Sequence, residues 1–225
     1  LGLCANNHVG NGLSLSYTAS VYNDKKMDHI GLRASSAEKR YLVKDVSGIK
    51  LGFVNYTYGS QTSKTGMVNY FSTEYLPAFY ADMEEQIAAM KADGAEAIVV
   101  YIHWGNEYER RENSEQRRLA ALLQREGVDV IIGSHPHVVQ PYYTNSTSVV
   151  FYSLGNFVSN QRKRYTDGGL IAEVEVIKCD TVEGLRYRAK AHPIWVLTPG
   201  YRILPRSVGD TLTMPAASRQ AYERF

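Results

Sequence analysis

The stretch "IIGSHPHVVQP" (131–141) decides the fold. A β-branched apolar run stops at Gly133 and Ser134, and His135 and His137 follow with Pro136 locked between them. The whole segment "VDVIIGS" reads as a strand buried on both faces, because its apolar residues are continuous and do not alternate. Upstream of it, "NSEQRRLAALLQREG" (113–127) has helical spacing, with Ser114 as N-cap and Leu119, Leu122 and Leu123 on one face. The same pair of signals occurs once more. The segment "LPAFYADMEEQIAAMKADG" (76–94) places Met83, Ile87 and Met90 on one helical face and stops at Gly94, and "AEAIVVYIHWG" (95–105) is a second buried strand. Before these, "GIKLGFVNYTYG" (48–59) alternates around Ile49, Leu51, Phe53 and Asn55 between glycines, which predicts a strand. The order β-α-β-α-β predicts a layered α/β domain.

The remainder is less regular. Residues 9–48 are polar and weakly periodic, with room for a helix within 13–28. "TSVVFYSLGNF" (147–157), "GLIAEVEVIK" (169–178) and "GLRYRAKAHPIWVL" (184–197) predict successive strands, and the alternation in the second predicts an antiparallel pair with one wet face. The loop "VSNQRKRYTDG" separates the first two, and "PAASRQAYERF" predicts a short terminal helix. The expected organisation is one domain over residues 1–200 with a tail over 201–225.

Composition narrows the function. The 225 residues are 44% hydrophobic and 21% charged with a formal net charge of +2, which suits a folded globular chain and gives no bulk charge for nucleic acid or a membrane surface. Cys4 and Cys179 provide neither a disulfide framework nor zinc-site spacing. No apolar run approaches the roughly 20 residues that span a bilayer. The opening "LGLCANNH" reads as the end of a core strand running into a loop, which predicts further sequence upstream. Of the 17 tyrosines against 6 phenylalanines, surface-accessible packing is the simpler explanation and a polymer-binding groove the other.

The histidines share a position. "LGLCA" leads to Asn6, Asn7 and His8, "AIVVYI" leads to His103, and "VDVIIGS" leads to His135 and His137. Ligands of open α/β sheets bind beyond the carboxyl ends of the strands, so these residues are expected to converge. Imidazole is the commonest transition-metal ligand, and amide or carboxylate oxygens complete sites for manganese, iron or zinc. A lone histidine at a strand end is ordinarily a satisfied polar residue; four of six in that position argue for a metal site. His29 and His192 carry no motif and are assigned no role. A serine hydrolase is disfavoured because no G-x-S-x-G elbow is present, and neither a P-loop nor G-x-G-x-x-G occurs.

The combination of "ANNH" (5–8), "GIKLGFVNYTYG" (48–59), "VVYIHWGNEYE" (99–109), "VDVIIGSHPHVVQP" (128–141) and "VVFYSLGNFVSNQ" (149–161) resembles the bacterial capsule synthesis CapA, or poly-γ-glutamate synthesis, family, related to the calcineurin-like metallophosphoesterases. The resemblance implies a four-layer α/β/β/α sandwich with two divalent metal ions at the strand ends. It implies Asn7 as a metal-bridging ligand, His8 as a catalytic histidine, and His103, His135 and His137 as further ligands. Glu107 and Asn156 lie in motifs typical of the family and are expected to support the site. Two departures stand out. The acidic ligands of the pattern lie upstream of the Asn-His pair, before this chain begins, and "VGNGLSL" has Asn11 near a position that is usually Asp.

The resemblance implies a role in assembly, export or release of poly-γ-glutamate, at the cell surface outside the cytoplasm. It implies membrane anchoring through a segment absent from this chain, and other capsule synthase components as partners. Two readings follow: a metal-dependent hydrolase of a phosphoester or related bond, or a non-catalytic polyanion-binding or scaffold component. In the second, Arg110, Arg111 and the Arg162-Lys163-Arg164 cluster would meet the anionic chain.

Overall fold

The computed structural model describes residues 1–9, 15–59, 66–179 and 183–225. In chain order its elements are β1 (Gly2–Leu3), α1 (Leu15–Asp24), β2 (His29–Ile30), β3 (Tyr41–Val46), β4 (Ile49–Tyr58), β5 (Tyr70–Phe71), α2 (Leu76–Ala92), β6 (Ala97–His103), α3 (Ser114–Arg125), β7 (Val130–Ser134), β8 (Tyr142–Thr144), β9 (Val149–Phe151), β10 (Gly168–Lys178), β11 (Leu185–Leu197), β12 (Arg202–Pro205), α4 (Arg206–Gly209) and α5 (Ala216–Arg224).

The larger sheet runs β3-β4-β6-β7-β9-β8, with β5 beside β4. Its centre, β4, β6, β7 and β9, is parallel. These strands bury side chains on both faces, which is why the sequences of β6, β7 and β9 read as continuous apolar runs. On one face Val54, Tyr56, Ile98, Val100, Ile102 and Ile131 pack against Phe79, Met83, Ile87 and Met90 of α2 and Leu119 and Leu123 of α3. On the other, Leu51, Ala97, Val130, Val149 and Phe151 meet Tyr187, Val174, Val176 and Ala189 of a second sheet, β10-β11-β12. Each such fully buried large side chain contributes about 1.5–3 kcal/mol. The mixed α/β fold with stacked sheets expected from the sequence is therefore the one observed, with helices on one face of the large sheet and the small sheet on the other. The small sheet is antiparallel as expected, and its exposed residues form cross-strand ion pairs, Glu175 with Arg188 and Glu173 with Lys190 and His192. Such exposed pairs are worth at most about 1 kcal/mol each.

Several boundaries differ from the expectations. The cap of α3 is Asn113 and not Ser114: Asn113 Oδ1 accepts from the Gln116 backbone N–H at 2.8 Å, and Gln116 Oε1 accepts from the Asn113 N–H at 3.0 Å. This reciprocal pair satisfies two backbone donors at once, which Ser114, already inside the helix, does not do. Asn113→Ala is expected to cost about 1 kcal/mol in chemical denaturation, and Ser114→Ala less than about 0.5 kcal/mol. The 147–157 strand stops at Phe151; beyond it Leu154 and Gly155 make only isolated bridges to Val139 and Gly169, because Gly155 turns the chain at φ 72°.

The opening segment is not a core strand here. β1 pairs only with β2, in a separate two-stranded sheet, and Leu1 and Leu3 remain 51% and 43% exposed. Within residues 9–48, α1 falls inside the window expected for a helix, whereas β3 was not foreseen; residues 10–14, Asn11 among them, lie outside the described residues. Residues beyond 201 pack on the body: β12 pairs with β11, and Leu212, Met214, Ala221, Tyr222 and Phe225 close over Trp195, Leu197 and Leu204. Among the described residues no helix is long and apolar enough to cross a membrane.

Candidate metal centre

Sheet register assembles the site. Thr57 of β4, His103 of β6 and Ser134 of β7 lie in line across three parallel strands, so Tyr58, His103 and His135 emerge together at the carboxyl edge. There His103 Nε2 lies 3.1 Å from Asn7 Oδ1 and 3.1 Å from His135 Nδ1. Ligands about 2.1 Å from one ion lie about 3.0–3.4 Å from one another at octahedral or tetrahedral angles, so each of these two pairs has the spacing of neighbouring ligands.

The surrounding contacts fix the rings. His103 Nδ1 sits 2.9 Å from Ser134 Oγ, and His135 Nε2 sits 2.6 Å from Tyr58 Oη. Asn156 Nδ2 donates to the Thr166 carbonyl at 2.8 Å and to Gln161 Oε1 at 3.0 Å, so its Oδ1 is the atom that faces His137. His137 Nδ1 must then donate to that oxygen, at 3.0 Å, an arrangement that in the neutral ring leaves the lone pair on Nε2. Asn156→Ala should therefore weaken divalent-metal binding about 10- to 100-fold in a competition titration with a chromogenic chelator.

Burial keeps His103 and His135 neutral. The pKa of His103 is pushed down to about 3, first by desolvation and then by His135, His137 and His8. That of His135 is lowered, mainly by burial, against the opposing charge of Glu107. Neutral imidazole is the form that ligates. Burial, with Glu107 again adding to it, raises the Tyr58 phenol, so it stays protonated.

The backbone here is strained. His135 and His137 have φ values of 101° and 61°, either side of Pro136. Left-handed conformations in side-chain-bearing residues cost roughly 1–3 kcal/mol each and concentrate at functional sites.

The expected residues are thus partly brought together. Asn7, His103 and His135 converge, and His137 stands beside them, its ring centroid 6.2 Å from that of His135. His8 is exposed at the rim, close enough for its charge to act on His103 and His135. Glu107 is also exposed and acts on His135 and Tyr58. Arg110 and Arg162 are placed against the rings of Tyr165 and Tyr201, with 4.0 and 5.9 Å to the centroids. Among the described residues no three His, Cys, Asp or Glu side chains gather in a way that could hold a metal ion, so the donor set is a partial one that needs the Asn7 amide. Sequence reasoning missed Tyr58 and Ser134; both end strands at the same edge, so the rule that found the histidines would have found them.

A polar cluster of histidines with the Asn7 amide thus stands at the carboxyl edge of a layered α/β fold. The sequence model described as bacterial capsule synthesis protein PGA_cap matches residues 3–161, and the chain belongs to that family, within the metallophosphoesterase-like superfamily. It is 33% identical over 161 residues to the PGA biosynthesis protein CapA of Bacillus subtilis (strain 168), covering 70% of this chain and 42% of that one. To the capsule biosynthesis protein CapA of Bacillus anthracis it is 29% identical over 164 residues, covering 70% and 39%. The chain therefore spans about two fifths of these relatives. A structure of the Thermus thermophilus sulfate thiohydrolase SoxB in complex with glycerol aligns over 79% of this chain and 30% of its own at 16% identity, with a TM-score of 0.46.

Proposed function

We propose that this chain carries the histidine half of a metal-dependent hydrolytic centre acting in capsule poly-γ-glutamate biosynthesis, export or release. The observation that carries the reading is the convergence of Asn7 Oδ1 and His135 Nδ1 on His103 Nε2, each at 3.1 Å. Nitrogen and amide-oxygen donors without thiolate suit manganese, iron or zinc, and Asn7, His103, His135 and His137 would hold them. When bound, such ions lower the pKa of water and polarise a phosphoryl or carbonyl oxygen.

The chain's own residues do the rest. Asn156 holds the His137 ring so that its neutral form has Nε2 bare, and Ser134 and Tyr58 hold His103 and His135. His8, exposed at the rim, would give a proton to a departing alkoxide. The names of the two Bacillus relatives support the capsule setting. With that setting come an extracytoplasmic location at the cell surface, membrane anchoring, and other capsule synthase components as partners.

The test is hydrolysis of a nitrophenyl phosphoester by the protein loaded with manganese. Turnover should require the metal and fall about 100-fold or more in His8→Ala while metal content is kept. Turnover that persists in excess chelator, or no turnover by the manganese-loaded protein, would contradict the reading.

A further inference from the structure

Several cations on the surface pair with carboxylates, among them Lys39 with Asp93, Arg117 with Glu112, Lys178 with Glu96 and Arg206 with Asp210. One row of cations is held differently. Among the described residues Arg110, Arg162, Lys163 and Arg164 make no ion pair and lie on tyrosine rings instead. Lys163 Nζ is 3.8 Å from the centroid of Tyr108, whose ring is stacked near that of His137 at 6.0 Å. The guanidinium carbons of Arg110 and Arg164 are 4.0 and 4.6 Å from the centroid of Tyr165. A ring face orients a cation without neutralising it, and a stacked guanidinium keeps its N–H edge open for a carboxylate.

Two further observations mark the row as built. Tyr108, Tyr165 and Tyr201, the rings that hold these cations, all have left-handed backbones, at φ 67°, 70° and 51°. For a bulky side chain that is a strained choice, of the kind kept at binding sites. Tyr165 also lines two neighbouring cavities, one of about 500 Å³ with Arg110, Arg219, Trp195 and Phe225, the other of about 260 Å³ with Arg162, Arg164 and Arg224.

We propose that this row, running from His137 through Tyr108 and Lys163 to Tyr165 with Arg110 and Arg164, is a track that grips an extended chain of repeated carboxylates and leads it to the histidine cluster. The proposal rests on the function proposed above in taking that cluster as the track's destination. Carboxylates are favoured over the dense charge of a nucleic acid because the net charge is only +2. Each arginine can take a carboxylate in two parallel hydrogen bonds.

The test is fluorescence anisotropy with a labelled poly-γ-glutamate oligomer, run in chelator so that failure of the metal reading leaves it untouched. Binding should weaken about tenfold between low and physiological salt. The triple variant Arg110→Ala, Lys163→Ala, Arg164→Ala should bind about tenfold or more weaker, and so should Tyr165→Ala, whereas Tyr165→Phe keeps the ring and should bind within about twofold of the parent. A control that removes three cations from α3, Arg117→Ala, Arg118→Ala, Arg125→Ala, should also stay within about twofold. Equal weakening by the control, or unchanged binding by the Arg110 triple variant, would overturn the proposal. Displacement of the oligomer by single-stranded DNA at lower concentration than by unlabelled poly-γ-glutamate would overturn the carboxylate assignment.

Discussion

Gly133→Ala is expected to lower the stability of this protein by about 3 kcal/mol or more in chemical denaturation, the upper end of what an overpacked core costs. A Cβ at residue 133 would stand 2.0 Å from the Tyr152 carbonyl oxygen and 2.5 Å from Trp104 Nε1. Neither neighbour can move cheaply. Trp104 is 1% exposed and donates its indole N–H to that same carbonyl at 2.9 Å, and its ring stacks on Tyr152 with centroids 5.7 Å apart. β7 must therefore shift as a whole, and with it Ser134 and His135, so metal affinity should fall together with stability. A variant as stable as the parent would show that β7 and β9 do not approach as described.

The double variant His135→Ala, His137→Ala should lose about 100-fold or more in divalent-metal affinity in the chelator competition titration. Losing a partner that merely orients a ligand costs 10- to 100-fold, and here two imidazoles are removed outright. The loss should be specific. A double variant at His29 and His192, which stack on Tyr22 and pair with Glu173 away from the site, should bind metal as the parent does. Equal loss in both double variants would mean that binding is adventitious.

Much of this was legible in the sequence, for a physical reason. A parallel sheet buried on both faces needs unbroken apolar strands, and "AIVVYIH" and "VIIGS" can be read as nothing else once each follows an amphipathic helix. Strand ends then predict where His103, His135 and His137 meet. What was not legible depended on partners distant in sequence. β3 is an edge strand with a half-buried, partly charged pattern, and only its antiparallel register with β4 defines it. The cap of α3 was misplaced by one residue because Asn113 and Ser114 are both good caps, and only the reciprocal bond with Gln116 separates them. The tyrosine partners of Arg110 and Lys163 come from other loops, and the sequence gives no sign of them beyond the abundance of tyrosine.

If Asn7, His103 and His135 hold a divalent ion as proposed, anomalous diffraction from crystals soaked in manganese or zinc will show it. An anomalous peak is expected about 2.0–2.2 Å from His103 Nε2, His135 Nδ1 and Asn7 Oδ1, lost in His103→Ala crystals. Crystals that show no peak there, with the three side chains still hydrogen-bonded to one another, would contradict the proposal.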